Sequence, residues 1–382
     1  MRITGIDTVR LSRMHEPDRQ WFTGTYRTVK ADCAIVVVST DSEEVGIGEA
    51  AAYGWPDKIQ SWVSWLRPLL IGRDPLDPAT ALPPGLGTER PYDCAVAAID
   101  CALWDLRGRA SGRRVAELID PAAADSVRLY ASAGVRYDWA TDPKQLVDEA
   151  IGLAEQGWTA YKFRIGTEWE WDCVDAGRFL TLAGDVAAAV GDRMQLMVDA
   201  NQRLDRLAAL TVARGLDELG FAWFEEPLPQ ADIEGYELLN QGVRMPITGG
   251  ERFTSVREFR PYLERGAYAI VQPDAGICGI TECLRIAEMA RYHGAEFCPH
   301  GWHNGLMAMA HAHLMAGLRA THPVELCTVQ GPLQWEILAD PPEIRGGRLA
   351  LPSAPGLGVT LAPDLEQRFP YLEGHYAVVV ER

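Results

Sequence analysis

No two of the eight cysteines stand in a C-x-x-C pair, which excludes zinc-ribbon and thioredoxin-type readings. The thiols are scattered (Cys33, Cys94, Cys101, Cys173, Cys278, Cys283, Cys298 and Cys327), as expected of reduced, mostly buried cysteines in a cytoplasmic protein. No uncharged apolar run approaches the length of a membrane span, and the opening MRITGIDTVRLS lacks the apolar core of a secretory leader. There is no low-complexity tract. Cations are the scarcer charge: 36 Lys and Arg against 53 Asp and Glu give a net charge of −17. That balance argues against nucleic acid and anionic membranes as partners. It still permits an anionic small molecule, because a site can be basic locally.

What the chain does have is a repeating layout. Its 382 residues, 47% of them hydrophobic, predict roughly two to three domains or one barrel with a smaller partner. From about residue 128, eight short apolar segments recur: RLYASAG, AYKFRIG, QLMVDAN, FAWFEEP, MPITGGE, YAIVQPD, EFCPHG and PVELCT. Helical periodicity fills the gaps, as in Val212, Leu216 and Leu219, or Ile280, Leu284 and Ala287. Eight alternations predict an α/β fold of the (β/α)8 barrel type. An open doubly wound sheet would bring a glycine-rich phosphate loop after its first strand, and YASAGVRYD is not one. The first part differs. DCAIVVVST and VGIGEAAAYG read as strands of a small antiparallel sheet, ALPPGLGTERP as a loop, and YDCAVAAIDCALWDLRGRASG as a helix with Val96, Ile99, Leu103 and Leu106 on one stripe. The expected division is a capping region over 1–125, a barrel over 126–352 and a tail over 353–382 that returns to the cap.

The strand ends carry the chemistry. In such a barrel, polar residues at the carboxyl ends of the strands share one mouth. Asp199, Glu225 and Glu251 end the third, fourth and fifth strands, one βα unit apart each time. A single acid there commonly caps the next helix or meets water. Three on successive strands would repel unless a cation sat between them, and hard oxygen donors favour Mg2+, with Mn2+ second. Asp274 and His300 end the sixth and seventh strands. A carboxylate bonded to one imidazole nitrogen fixes the tautomer and makes the other nitrogen a better base. His303 stands close enough to compete and is read as a substrate contact. In YKFRIG, Lys162 and Arg164 fall on one face of the second strand, where they would offset negative charge. His293, His311, His313 and His322 read as helix or loop residues.

These pieces, together with AAIDCALWDLRGRASG, MVDAN, WFEEP, GGERF, QPDAGICGITE, CPHG and PGLGV, resemble the mandelate racemase branch of the enolase superfamily over nearly the whole chain. The resemblance implies an α+β cap built from both termini over a modified barrel, one divalent ion, and removal of a proton alpha to a carboxylate. It puts Asp199, Glu225 and Glu251 at the metal, with Glu226 an acid beside it. Lys162 would contact the substrate carboxylate, Asp274 and His300 would form the base dyad, and Glu325 would bond a carboxylate oxygen. Arg164 departs from the branch, which usually has a second lysine there. Arginine stays protonated and accepts protons poorly, so a one-base reaction is expected. The implied activity is dehydration of a sugar acid, with ring-opening cycloisomerisation next and racemisation or epimerisation after that. Cap loops EPDRQWFTGTYR and AAAYGWPDK offer Trp21, Tyr53 and Trp55 for specificity, with Arg19 and Arg27 as further contacts. A zinc hydrolase would bring more histidines to the strand ends, and a non-catalytic binder would have less reason to keep ligands, dyad and Lys162 together. A symmetric homo-oligomer is the expected assembly.

Overall fold

The structure, a computed structural model, describes residues 1–23, 26–82, 89–139, 141–165, 175–329 and 331–379. Gly166, Cys173 and much of the loop before residue 89 lie outside the described residues.

All eight expected barrel strands form: Ser126–Ser132, Ala160–Arg164, Gln195–Asp199, Trp223–Glu225, Ile247–Gly249, Ile270–Val271, Glu296–Phe297 and Val324–Cys327. Each of the first seven is followed by a helix, namely Gln145–Glu155, Ala176–Val190, Arg206–Glu218, Ile233–Gly242, Val256–Glu264, Ala275–Tyr292 and Gly305–Leu318. The eighth is followed by the short turn Gly331–Gln334 and then the strands Ile344–Arg345 and Arg348–Ala350, with no α-helix before the four-residue Leu365–Arg368 among the described residues. Pro332, Pro341 and Pro342 break up this stretch, each removing an N–H from any helix ladder; a single interior proline is tolerated elsewhere, as Pro261 is in Val256–Glu264. Leu219 lies beyond its helix and is 40% exposed, so that stripe ends at Leu216.

Parallel pairing runs in order from the first strand to the seventh, and the eighth pairs with the first, Glu325 opposite Tyr130. No ladder joins the seventh and eighth among the described residues. They are tied instead by side chains, Cys298 Sγ to the Pro323 carbonyl at 3.4 Å and the Gly301 N–H to Glu325 Oε2 at 2.7 Å. Tyr130, Met197, Trp223 and Ile270 fill the lumen, so the barrel is a packed core with its polar residues lifted toward one end.

The cap is an antiparallel sheet of Ile3–Met14, Lys30–Thr40 and Val45–Ala50, covered by helices Pro56–Leu70 and Arg90–Ser111. Val96, Ile99, Leu103 and Leu106 are buried against Val36, Val38, Ile59 and Val63. Gly46 and Gly48 allow the long helix to touch the sheet: a Cβ at either would lie 2.2 Å from a helix carbonyl. Within the stretch read as the loop EPDRQWFTGTYR, Trp21–Thr23 and Tyr26–Thr28 pair as antiparallel strands. Ala377–Val379 adds a third strand to this pair. The buried Lys30 ammonium fixes this last segment by donating to the carbonyls of Leu372 and Gly374, at 2.6 and 2.9 Å. No helix among the described residues is long and apolar enough to cross a membrane.

Candidate active site

Alternation along the second barrel strand sends Tyr161 and Phe163 outward and Ala160, Lys162 and Arg164 toward the lumen. Phe163 packs on Phe179 and Phe221, with ring centroids 6.2 and 5.9 Å away. The two cations therefore share a face. Lys162 is buried and pairs with Glu225 and, at 2.9 Å, with Glu325. Burial works against its charge, but Glu225, Glu325 and Asp199 outweigh that and hold the ammonium above its ordinary range. Arg164 stands in register with Asp199, and Asp199 with Glu225, so three charged residues lie side by side at one level. The Arg164 guanidinium lies 4.5 Å from the centre of the Trp302 ring and 5.5 Å from that of Trp21. Its Nε is 3.6 Å from Asp199. Stacked arginine keeps its charge and surrenders few conformers.

The carboxylates are held from behind. Asp199 accepts the backbone N–H and the side-chain amide of Asn201, both at 2.8 Å. Glu225 Oε2 accepts from Gln272 at 2.6 Å. Asn201, Gln202 and Glu226 all adopt positive φ (45°, 63° and 39°), so backbone strain gathers where the third and fourth strands end. Burial raises the Asp199 carboxyl and lifts Glu225 to about 7, with neighbouring carboxylates adding to the effect and Lys162 opposing it. Burial and the Glu251 charge push Glu226 well above the carboxylate range, and its Oε1 has no hydrogen-bond partner among the described residues. Asp199, Glu225 and Glu251 do not bring three oxygens within 4.8 Å of one another among the described residues, and Lys162 and Arg164 pair with Glu225 and Asp199. Their all-oxygen chemistry is nonetheless the kind that suits a hard divalent ion such as Mg2+.

Asp274 and His300 meet as expected, Nδ1 to Oδ2 at 2.7 Å. Oδ1 of the same carboxylate accepts the Gly276 N–H and so caps the following helix. His303 also bonds Oδ2, through Nε2 at 2.5 Å. It is thus a second imidazole on Asp274, and its ring lies against Tyr53. Asp274, His300 and His303 are close enough to suggest a metal group. Both rings aim at one carboxylate oxygen, however, which is the geometry of two N–H donors on an acceptor and not of three donors around an ion. Nε2 of the His300 ring faces Glu251 at 3.4 Å, and in the neutral ring donation through Nδ1 would leave the Nε2 lone pair free. Burial disfavours the imidazolium there, yet Glu251, Asp274 and Glu325 lift His300 to about 10. Glu325 is buried, and Lys162 and His300 overcome the cost of burial to hold it at about 2.

Above these groups opens a cavity of about 360 Å3, whose lining includes Arg164, Glu251 and His300. Trp21, Tyr53 and Trp55 also line it, whereas Arg19 and Arg27 are exposed elsewhere. The sequence reading missed Arg90, Asn201, Arg252, Ile277, Trp302 and Tyr376, which line it too. Arg252 follows a strand-end acid and Trp302 sits beside His300, so position alone could have found them. Arg90 opens a cap helix and Tyr376 belongs to the tail; neither carries a local signal.

Comparison with known proteins agrees with this architecture. Residues 8–120 match the mandelate racemase/muconate lactonizing enzyme N-terminal domain, and residues 145–365 the enolase C-terminal domain-like family. The chain is 28% identical to a D-galactarolactone cycloisomerase of Agrobacterium fabrum, over 97% of this chain and 99% of that one. It is 35% identical to an L-talarate/galactarate dehydratase of Salmonella typhimurium, over 70% of this chain and 63% of that one. Among solved structures, an enolase superfamily member from Polaromonas superposes with a TM-score of 0.87 at 28% identity, covering 98% and 99% of the two chains. A 3,6-anhydro-D-galactonate cycloisomerase from Zobellia galactanivorans superposes at 0.82 and 25% identity, covering 97% and 99%. Family members are enzymes that use a divalent metal. This chain belongs to the mandelate racemase-like enzymes of the enolase superfamily.

Proposed function

We propose that the protein removes the proton alpha to the carboxylate of a sugar acid and then expels the β-hydroxyl as water. The observation that carries this reading is the His300–Asp274 pair standing 3.4 Å from Glu251, beside a cluster of buried carboxylates. Asp199, Glu225 and Glu251 would hold Mg2+, whose charge, when bound, stabilises negative charge on a substrate carboxylate. Lys162 stays an ammonium and, with Arg164, offsets the charge that grows as the C–H bond breaks. With a cation on Glu251, His300 would lose the charge that most raises it, so its ring would be neutral. Nε2 of that neutral ring takes the proton, and Asp274 holds the ring in the Nδ1–H tautomer. His300 then returns that proton to the β-oxygen as the C–O bond breaks, giving an enol and water, and the enol becomes a 2-keto-3-deoxy acid. Arg164 cannot serve as a second base on the other face, which disfavours racemisation.

Ring opening of a lactone or anhydro sugar needs the same first step and differs only in the leaving oxygen. The cycloisomerase relatives support it as the second reading. A small carboxylate as substrate agrees with the relatives' names.

His300→Asn tests the assignment of the base. Turnover of the best sugar acid should fall by about 10²- to 10⁴-fold, while the Mg2+-dependent rise in Tm persists. Activity within threefold of the unmodified enzyme would remove His300 from the role.

A further inference from the structure

A chain with 36 cations against 53 anions nevertheless turns three arginines, Arg90, Arg164 and Arg252, and one carboxylate, Glu251, toward the 360 Å3 cavity. Only Arg164 is accounted for by the reaction. It lies over the paired indoles of Trp21 and Trp302 and near Asp199. Arg90 opens the cap helix Arg90–Ser111 and has no ion pair or side-chain hydrogen bond among the described residues. Arg252 follows Glu251, and its Nε is 3.7 Å from Glu251 Oε1, beyond hydrogen-bond length. Two forked donors from different domains thus face one space with donor capacity left over. The same cavity is lined by the apolar Trp55 and Ile277, as suits the C–H face of a short sugar chain.

We propose that Arg90 and Arg252 bind a second carboxylate at the far end of the substrate, making the substrate a diacid sugar or its lactone and not a monoacid. This rests on the proton-abstraction reading above, in which the first carboxylate lies by Lys162 and the acidic cluster. Arginine suits the task because its planar fork matches a carboxylate with two parallel N–H···O bonds. Family membership does not choose between the classes, since relatives are named for both galactarate and galactonate. The two arginines on the cavity wall do choose: a terminal CH2OH would leave both guanidiniums facing a neutral group.

The test uses the Mg2+-loaded protein and pairs of hexarates and hexonates that share configuration at C2 to C5. The diacid of the best pair should exceed its monoacid by about 30-fold or more in kcat/KM. Arg90→Gln should lower the diacid value by about tenfold more than the monoacid value, chiefly through KM. Arg252→Gln should act in the same direction while the Mg2+-dependent Tm rise shows that Glu251 still works. A monoacid preference, or a parallel fall for both acids, overturns the proposal. Binding without turnover gives an independent decision, by calorimetry with adipate and 6-hydroxyhexanoate. Adipate should bind about tenfold tighter, and Arg90→Gln should erase the difference; equal binding to the unmodified protein contradicts the second carboxylate site. If no acid turns over but adipate is still preferred, the proton-abstraction reading fails and the arginine pair stands.

Discussion

His313 is a residue whose burial has a measurable consequence. It is fully buried in the helix Gly305–Leu318, accepts the Ala116 N–H at Nδ1 and donates from Nε2 to the Leu357 carbonyl at 3.0 Å. Burial drives it down to about 4. The unfolded chain then binds the extra proton more readily, so stability is complete above about pH 6.5 and is lost as pH falls toward 4. The loss from this residue is on the order of 3 kcal/mol. Urea unfolding at a series of pH values should show the gap between the protein and His313→Gln shrinking over that window; a constant gap contradicts it. Glu225 provides a second residue-level test. Glu225→Gln should abolish the Mg2+-dependent stabilisation, which for the unmodified protein is about 2.7 kcal/mol at a hundredfold excess over Kd. An undiminished Tm rise would remove Glu225 from the cation site. The strand-end acids were legible because strand alternation and the repeat of the βα unit fix their level and face. The second bond to Asp274 was not, since a spacing of three residues between His300 and His303 says nothing of where either ring points.

Among the elements, the junction of cap and barrel depends on buried acids of the cap. Glu49, on the strand Val45–Ala50, accepts the Asn304 N–H at 3.0 Å and the Met307 N–H at 2.9 Å, capping a barrel helix from outside. Asp100 accepts the Thr281 N–H at 2.8 Å, just past Gly279, whose φ of 80° breaks the helix Ala275–Tyr292. These acids compensate orphan donors at helix starts, where the dipole also favours negative charge. Glu49→Ala should cost about 3 kcal/mol of stability in urea unfolding, because it leaves several buried N–H groups unpaired. A cost below about 0.5 kcal/mol would show that water replaces the carboxylate there. None of this was legible beforehand. An acid in VGIGEAAAYG reads as the polar side of a strand, and its partner lies 255 residues away. Helices such as Ala176–Val190 and Arg206–Glu218 were legible because each carries an apolar stripe, and Gly305–Leu318 because it is apolar all round, while the expected eighth fails where three prolines fall between 332 and 342.

At the scale of the whole molecule, an acidic protein gathers its useful cations at one barrel mouth and closes it with residues from both ends of the chain. The barrel floor was readable from a run of local signals. The roof was not, because Trp21, Tyr53, Arg90 and Tyr376 are brought together only by topology. That division explains why the strand-end residues were easier to read than the rest of the cavity, whose other walls come from a hairpin, a helix start and a returning tail. The central claim is removal of the proton alpha to a carboxylate by His300 in a Mg2+-dependent site. Proton NMR of a sugar-acid panel in D2O, with Mg2+ and after chelation, tests it most directly. The account predicts a 2-keto-3-deoxy product carrying one solvent deuterium at C3, formed with Mg2+ and lost on chelation. Product formation that is indifferent to chelation, or recovered substrate deuterated and inverted at C2 with no keto acid, would contradict it.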